Sequence, residues 1–351
     1  MASLPKPAPR QTAVIAALLL LILVWTIALM RPTSILSDVT APKAEAPEAG
    51  KPQQQQPGLD PANTTTLSAP PDDELRPLVL YAYADSESAR ENLRFFVDQG
   101  LHAAADFVFI LNGVGNGTDL DIPRLDNVRV VPRPDTCYDL GAYGEVLRSG
   151  DLWRRYKRFI MLNASVRGPF LPYWSRSCWS DLYLRKVTGK VKLVGMTSNC
   201  FPEFHVQSMI WATDSVGMDL LLNPPSTTLE ADDFGDEGEA VGLAGCYGTW
   251  TEAVHAEIGA TRVVRSQGYD VDVMMAAFHK SRDFIAECAG ATRDEDVLHD
   301  GKYFGTNVHP YETVFIKADR GIDPAMIESL TKWHEGAKRN SWDVCGTSSA
   351  W

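Results

Sequence analysis

The sequence predicts an α/β protein with a largely parallel sheet that helices cover on both sides. Short runs of apolar, β-favouring residues recur and stop at Asp, Asn, Gly or Pro, as buried strands do. Segments with a helical apolar face lie between several of these runs. After the first 77 residues the chain of 351 residues is long enough for one large domain.

The first strand and helix are predicted at the start of this domain. Leu78–Ala84 (LVLYAYA) is an apolar run that stops at Asp85, and Ser86 is suited to cap the helix that follows. That helix is expected over Ser86–Gln99, because Leu93, Phe96 and Val97 share one face and Gly100 ends the segment.

Three more strands and one helix follow. Asp106–Leu111 (DFVFIL) ends at Asn112-Gly113, and Val128–Val131 (VRVV) ends at Pro132. Asp139–Arg148 is predicted to be helical, and Tyr156–Leu162 (YKRFIML) is a strand that stops at Asn163. In a parallel sheet, ligands bind beyond the carboxyl ends of the strands. The loops after these strands are therefore the expected ligand-binding loops.

The second half of the domain is predicted from shorter segments. Apolar runs indicate strands, and segments with an apolar face indicate helices. The predicted strands are Val191–Gly195, Ser208–Thr213, Gly259–Ser266 and Val314–Lys317, and the predicted helices are Ser215–Leu222, Asp272–Phe278 and Pro324–Lys338.

An uncharged apolar run occupies residues 13–30, AVIAALLLLILVWTIALM. As a helix this run nearly spans a hydrocarbon core of about 30 Å. A cleaved signal peptide, the alternative, has a shorter apolar core and an A-x-A site, and this run ends in Trp25, Met30 and Arg31 instead. We expect a transmembrane signal anchor over residues 12–30, after a cytoplasmic tail of residues 1–11 that contains Lys6 and Arg10.

Residues 31–77 are rich in proline and contain the glutamine run Gln53–Gln56. Such a composition cannot bury enough apolar surface to offset the entropy of ordering, and proline stiffens a spacer. The segment is expected to be a disordered stem between the membrane and a lumenal domain of residues 78–351. This layout predicts a single-pass type II membrane protein of the secretory pathway, with the Golgi apparatus as the expected compartment.

Charge and cysteine content restrict the function further. The net charge is −12 and no basic stripe is present, which argues against a nucleic-acid partner. The six cysteines form no C-x-x-C pair, so they are either up to three disulfides, in one of 15 connectivities, or free buried thiols. Three glycosylation sequons, at Asn63, Asn116 and Asn163, fit a lumenal location.

Three segments in the body of the chain carry a resemblance to a known family. They are Cys137-Tyr-Asp-Leu-Gly-Ala-Tyr143, Phe159-Ile-Met-Leu-Asn-Ala-Ser-Val-Arg-Gly-Pro169 and His309-Pro-Tyr-Glu-Thr-Val-Phe-Ile-Lys-Ala-Asp-Arg320. In this order they resemble the rhamnan-synthesis-type glycosyltransferases and related GT-A-like proteins, from about Leu78 to Arg320. The resemblance implies a GT-A-like (Rossmann-like) domain that moves a sugar from a nucleotide-sugar donor to a glycan or glycoprotein acceptor.

The chain departs from the GT-A pattern at one position. GT-A enzymes usually carry D-x-D at a strand end, where the two carboxylates hold a divalent cation against the donor diphosphate. Asn163-Ala-Ser165 stands there instead, and these side chains bind Mg²⁺ or Mn²⁺ poorly alone. Either other oxygen atoms hold a metal, or cationic side chains such as Arg167, Lys317 and Arg320 neutralise the diphosphate. We assign no metal ligands.

Each candidate site residue has a structural alternative. Asp139 can accept hydrogen bonds from donor hydroxyls or merely complement a helix dipole. Gly141 allows either a close ligand or tight helix packing, and Asn163 with Ser165 forms either a donor contact or a turn with a glycosylated sequon. The predicted donor-binding residues are Asp85, Asp139, Gly141, Asn163, Ser165, Arg167, His309, Glu312, Lys317 and Arg320.

An inverting transfer also needs a general base for the acceptor hydroxyl. Glu257 and Asp272 are the candidates, and ordinary surface carboxylates are the alternative for both. Trp174 and Trp179, near Tyr173, are either a stacking platform for an acceptor sugar or core residues. A catalytically inactive, membrane-tethered sugar-binding or structural protein is the alternative function, and the missing D-x-D favours it.

Overall fold

The structure is a computed structural model that describes residues 76–115, 119–288 and 296–346. These residues belong to the compact unit Leu67–Trp351. The predicted tail, anchor, nearly all of the stem and the sequons at Asn63 and Asn116 lie outside the described residues. Within the described ranges, every helix is too short or too polar to cross a membrane.

A seven-stranded mixed sheet forms the centre of the described fold. Its strands are β1 (Leu78–Ala84), β2 (Asp106–Asn112), β3 (Val128–Arg133), β4 (Arg158–Asn163), β6 (Val191–Gly195), β9 (Ile210–Asp214) and β10 (Asp270–Val273). Their order in the sheet is β10-β6-β9-β4-β1-β2-β3, and only β9 runs antiparallel to its neighbours. The prediction of a mostly parallel α/β sheet is confirmed.

Two short antiparallel ladders accompany the sheet. One pairs β5 (Val166–Arg167) with β11 (Ile316–Lys317), and the other pairs β7 (Ser198–Asn199) with β8 (His205–Val206). The first ladder joins the segment after β4 to a segment about 150 residues later, which is important for the site described below.

Helices flank the sheet. They are α1 (Glu87–Gln99), α2 (Asp139–Arg148), α3 (Trp179–Leu184), α4 (Ser215–Leu222), α5 (Trp250–Ser266), α6 (Phe284–Cys288), α7 (Pro310–Thr313) and α8 (Pro324–Gly336). Helix α5 contacts both α2 and α4, while α1 contacts α8. The rings of Phe96 on α1 and Trp179 on α3 meet edge to face at 5.8 Å.

Local sequence signals account for the longer helices. The Ser86 hydroxyl accepts the Ala89 amide at 3.1 Å and caps α1, as predicted. At the start of α5, Thr249 and Glu252 form a reciprocal capping box. These side chains satisfy amide groups that the first turn of each helix leaves without a partner.

Two element predictions are wrong. The predicted strand Gly259–Ser266 is the second half of α5, because the capping box starts a helix whose buried face overrides the β preference of Val263 and Val264. The predicted helix Asp272–Phe278 begins instead with β10, which pairs with β6 and continues into a short 3-10 turn. The strand forms because Asp270–Val273 pairs with β6 at the edge of the sheet, and the periodicity of the sequence does not indicate such pairing.

The core is rich in aromatic residues. Trp211 on β9 and Trp179 on α3 are both fully buried, so Trp179 packs the core and cannot serve as an exposed platform. Three disulfides join Cys137 to Cys246, Cys178 to Cys345 and Cys200 to Cys288. The alternative of free buried thiols is therefore wrong.

Gly144 on α2 tests this packing. A methyl group at Gly144 would collide with the main-chain carbonyl oxygen of Leu243, which cannot rotate away. We expect Gly144→Ala to lower the free energy of unfolding by about 2 kcal/mol. The measurement is urea denaturation with Gly189→Ala as a control, because nothing lies within 4 Å of a methyl group at Gly189. Equal stability of the two variants would contradict this account of the packing.

Candidate functional site

A cavity of about 500 Å³ opens at the carboxyl ends of β1, β2 and β4. The chain passes from β1 to β2 on one side and places β4 on the other side of β1, so the strand order reverses here. Crevices at such reversals are the usual ligand sites of open α/β sheets. The cavity lies where three of the loops selected from the sequence begin.

Two distant segments of the chain meet in this cavity. One is the loop after β3, with Tyr138 and Asp139, and the other is the turn after β4, with Asn163 and Ser165. The lining consists of Ala82, Ala84, Ser86, Ser88, Ala89, Asn112, Asp135, Thr136, Cys137, Tyr138, Asp139, Asn163, Ala164, Ser165, Gly248, Lys317 and Asp319.

Hydrogen bonds join four of the predicted donor-site residues. The Asn163 side-chain amide donates to the Asp139 carboxylate, and its carbonyl oxygen accepts the Ser165 hydroxyl at 2.6 Å. The Lys317 ammonium donates to the Ser165 hydroxyl oxygen at 3.2 Å. Lys317 reaches this position because it pairs with Val166 in the β5–β11 ladder.

Asp139 is the first residue of α2, and its carboxylate also accepts the Leu140 amide at 3.1 Å. Burial raises the pKa of Asp139, and the hydrogen bond from Asn163 only partly offsets that effect. The negative charge of Glu257 raises the pKa of Asp139 further. A carboxyl group of this kind holds its proton more tightly than a solvated aspartate.

The Cys137–Cys246 disulfide fixes the loop that carries Asp139. The Tyr138 amide donates to the Tyr247 carbonyl at 2.8 Å, so the loop is attached to Cys246 and Tyr247 at two consecutive residues. A methyl group at Gly141 would lie 2.9 Å from the Cys137 Cβ and 3.1 Å from the Cys246 Cα. Gly141 thus permits tight packing of α2 against the disulfide and is not among the lining residues.

Glu257 lies on α5 and is not among the residues that line the cavity. Its carboxylate accepts the Ser208 amide at 2.5 Å and lies 3.3 Å from His205 Nε2. Burial favours a raised pKa for Glu257, but the hydrogen bond and charge of His205 outweigh it and hold the pKa below its usual value. The next residue, Met209, accepts a hydrogen bond from the main-chain N–H of Asn163 through its main-chain carbonyl oxygen at 3.2 Å.

The second predicted base, Asp272, lies on the edge strand β10. It forms an ion pair with Lys186 at 2.9 Å and lies 3.2 Å from His279 Nε2. It is not among the residues that line the cavity. Neither candidate base lines the cavity, but the charge of Glu257 raises the pKa of Asp139, which does.

Asp85 and Arg167 lie next to lining residues but have other partners. The Arg90 guanidinium and the Tyr83 hydroxyl both donate hydrogen bonds to the Asp85 carboxylate. These bonds, with that of Arg90 having the larger effect, lower the pKa of Asp85 to about 2. The Arg167 guanidinium donates to Asn92 at 2.8 Å and to Glu91 at 2.6 Å on α1. Its charge is directed to helix α1 and the lining does not include it.

The remaining predicted residues make structural contacts near α7. The His309 ring nitrogen accepts the Tyr311 amide at 3.1 Å and caps that short helix. Glu312 accepts the Ala276 amide at 2.5 Å and the Tyr303 hydroxyl. Arg320 lies 3.6 Å from Asp296 and contacts His299. None of these three predicted residues lines the cavity.

Several lining side chains were not selected from the sequence, although they follow the strands that were. Asn112 ends β2 and is buried, and its carbonyl oxygen accepts the Arg133 guanidinium at 2.8 Å. The others with polar side chains are Ser86, Ser88, Asp135, Thr136 and Asp319. Their position directly after β1, β2, β3 and β11 is the sequence signal that would have found them.

Carboxylate oxygens suited to a hard cation are present in the lining at Asp135, Asp139 and Asp319. These three carboxylates do not form a cluster close enough to share one ion; the one such cluster in the described part of the chain is His102 with Cys178 and Cys345. These two cysteines are joined in a disulfide, so their sulfur atoms are not thiolates that could bind a metal. That group is structural.

Comparisons with known proteins provide little further information. No protein-family model matches the chain, and no curated protein matches it. Among solved structures, the chain is similar to a cytidylyltransferase from Leptospira borgpetersenii serovar Hardjo-bovis (strain JB197), at 12% identity and a TM-score of 0.25. The match covers 41% of this chain and 62% of that chain, so less than two thirds of the relative is spanned. A likeness of this strength supports no functional argument.

His102 gives a pH test of the described fold. Burial lowers its pKa from 6.5 to about 4, so the folded protein favours the neutral ring. The resulting stability is complete above pH 6.5 and is lost as the pH falls from 6.5 to 4, a loss of about 3 kcal/mol. The free energy of unfolding, measured across that range, should fall more steeply in the wild type than in His102→Gln. Parallel curves for the two proteins would refute the assignment.

Proposed function

We propose that this protein is a glycosyltransferase with a GT-A-like lumenal domain that takes a nucleotide sugar as donor and a glycan or glycoprotein as acceptor. The main support is the convergence of the Tyr138–Asp139 loop, the Asn163–Ser165 turn and Lys317 on one cavity at the point where the strand order reverses. The motif resemblance selects the same segments independently.

The polar groups of the cavity suit a sugar diphosphate. Lys317 is the cationic side chain of the lining, and it is held through the Ser165 hydroxyl. An ammonium at this point would stabilise the negative charge that develops on a departing nucleoside diphosphate. Asp139, Asn163 and the serine hydroxyls supply acceptors and donors for ribose or sugar hydroxyls.

A divalent cation and Lys317 are two ways to neutralise the donor. Asp135 and Asp319 offer oxygen ligands in the lining, and Asp319 lies 3.8 Å from the Lys317 ammonium. When bound, a cation would supply Lewis-acid stabilisation of the diphosphate. Lys317 supplies charge without a metal, and we propose that it does so whether or not a cation joins it.

Glu257 is the better candidate for the acceptor-side base. Its charge reaches Asp139, whereas Asp272 forms an ion pair at the sheet edge. His205 and the Ser208 amide hold the Glu257 carboxylate in one orientation. A carboxylate kept ionised in this way can accept the proton of an acceptor hydroxyl.

The cellular setting of the proposal comes from the sequence. The apolar run at residues 13–30 and the proline-rich segment 31–77 are typical of a single-pass type II anchor and stem, as Golgi glycosyltransferases have. Three disulfides in the described domain are also typical of an oxidising compartment.

A thermal-shift screen tests the proposal directly. Nucleoside diphosphates and nucleotide sugars are added to the full chain in detergent, with and without Mn²⁺. A ligand at 100 times its dissociation constant stabilises the folded state by about 2.7 kcal/mol, which is measurable as a rise in Tm. The effect of Mn²⁺ reports the need for a cation. If no nucleotide or nucleotide sugar raises Tm, the proposed function is wrong.

Lys317→Met should weaken binding of the responding nucleotide sugar on the order of tenfold, because a charge-assisted contact to phosphate is lost. Calorimetric titration measures this loss. Lys190→Met is the matched control, since Lys190 is 64% exposed, pairs with Asp270 and lies outside the lining. Equal loss in both variants would show that the effect is not local to the cavity.

A second candidate, a nucleotide-sugar-binding protein without transfer activity, is favoured by Asn163-Ala-Ser165 at the expected place of D-x-D. Donor hydrolysis in the absence of acceptor separates the two. The transferase predicts slow release of the nucleoside diphosphate, abolished by Asp139→Ala and kept in Lys190→Met. Binding without release in the wild type would favour the inactive protein.

A further inference from the structure

A second cleft, of about 260 Å³, lies between helix α8, the loop at residues 169–175 and the segment at residues 339–344. Aromatic side chains form much of its wall. Tyr173, Tyr311, Trp333 and the His334 ring contribute to the lining. The sequence offers Trp174, next to Tyr173, as part of a stacking platform together with Trp179, which the fold buries in the core.

The aromatic residues of this cleft and its rim are unusually exposed. Tyr173 is 89% exposed, Trp174 69% and Trp333 66%. Of the ten large hydrophobic side chains exposed in the described residues, Tyr173, Tyr311 and Trp333 line the cleft. Two more, Trp174 and Trp342, are adjacent in sequence to lining residues. Folding normally covers such rings, and a concentration of them marks a binding surface.

Hydrogen bonds and a disulfide hold the walls of the cleft together. The Arg339 guanidinium donates to the main-chain carbonyls of Tyr173 at 2.6 Å and Ser175 at 2.5 Å. The Cys178–Cys345 disulfide ties the segments on both sides of the cleft, and His334 Nε2 lies 3.0 Å from the Leu171 carbonyl oxygen. A preformed site avoids much of the entropy loss on binding.

The polar groups of the cleft suit an uncharged ligand. No carboxylate is among its lining residues, and the Arg339 guanidinium is already bonded to two carbonyl oxygens. The Asn340 side-chain oxygen accepts the Trp342 main-chain amide at 3.1 Å. The Asn340 side-chain nitrogen, Nδ2, has no hydrogen-bond partner in the described part of the chain. Rings beside neutral amide and hydroxyl groups match a molecule with an apolar face and a rim of hydroxyls.

The cleft is continuous in the chain with the first cavity. The segment after β4 contributes Ser165 to the first cavity and Pro169 to the cleft. The segment that ends in β11 contributes Lys317 to the cavity and Tyr311 to the cleft. The β5–β11 ladder pairs these two segments, so the same two parts of the chain contribute to both sites.

We propose that this cleft binds neutral hexopyranose units of an oligosaccharide, with the apolar face of a sugar ring on Trp333. A pyranose has the required apolar face and hydroxyl rim, and Trp and Tyr rings offer a rigid partner. The inference rests on the proposed function only in making this oligosaccharide the acceptor. Carbohydrate binding at the cleft stands on the cleft's own residues.

The test is calorimetric titration of the full chain in detergent with four neutral probes: maltohexaose, cellohexaose, mannohexaose and galactohexaose. We expect at least one to bind with a Kd below about 1 mM. Trp333→Ala should weaken that binding at least tenfold. Trp250→Ala is the control, because Trp250 is 60% exposed, close to the 66% of Trp333, and lies on α5, outside the cleft.

The outcomes separate this inference from the proposed function. No binding of any probe, or equal binding by wild type and Trp333→Ala, overturns the inference even if nucleotide sugars raise Tm. Probe binding that Trp333→Ala abolishes, with no response to nucleotides, supports the cleft and removes the proposed function.

Discussion

The candidate site depends on the side-chain amide of Asn163. One end of this amide donates to Asp139 on the loop after β3, and the other accepts Ser165 in the turn after β4. Ser165 in turn receives the ammonium of Lys317. Three segments that are far apart in sequence are thus joined by consecutive hydrogen bonds. Loss of the amide would leave the Asp139 carboxylate with only the neighbouring Leu140 amide as a donor, and polar groups shielded from water are expensive to leave unpaired.

Charge balance in the cavity follows from the same arrangement. Asp135, Asp139 and Asp319 outnumber the single ammonium of Lys317 among the lining residues. Burial and the nearby charge of Glu257 work against ionisation of Asp139, which reduces the negative charge that an anionic ligand would meet. A buried carboxyl group with a raised pKa and a defined partner is a common feature of functional sites.

Much of the fold follows from sequence patterns, but the site follows only in part. Continuous apolar runs predict the central strands, and their end loops predict the cavity, because parallel strands end at one edge. The strand preference of Gly259–Ser266 was misleading, since the capping box at Thr249 lies ten residues earlier. His309 and Glu312 fall in a motif, yet their contacts serve α7 and Ala276. Such pairings join distant segments and leave no local pattern.

Asn163 is also the first residue of a glycosylation sequon, Asn163-Ala-Ser165. Its side chain is engaged at both ends, and it lines the cavity. A carbohydrate attached there during synthesis would occupy the space between the Asp139 loop and Lys317. Glycosylation would therefore modify the same nitrogen, Asn163 Nδ2, that donates the hydrogen bond to Asp139. Molecules modified at this asparagine would form a separate, self-occluded population, distinguishable by mass from molecules with an open cavity.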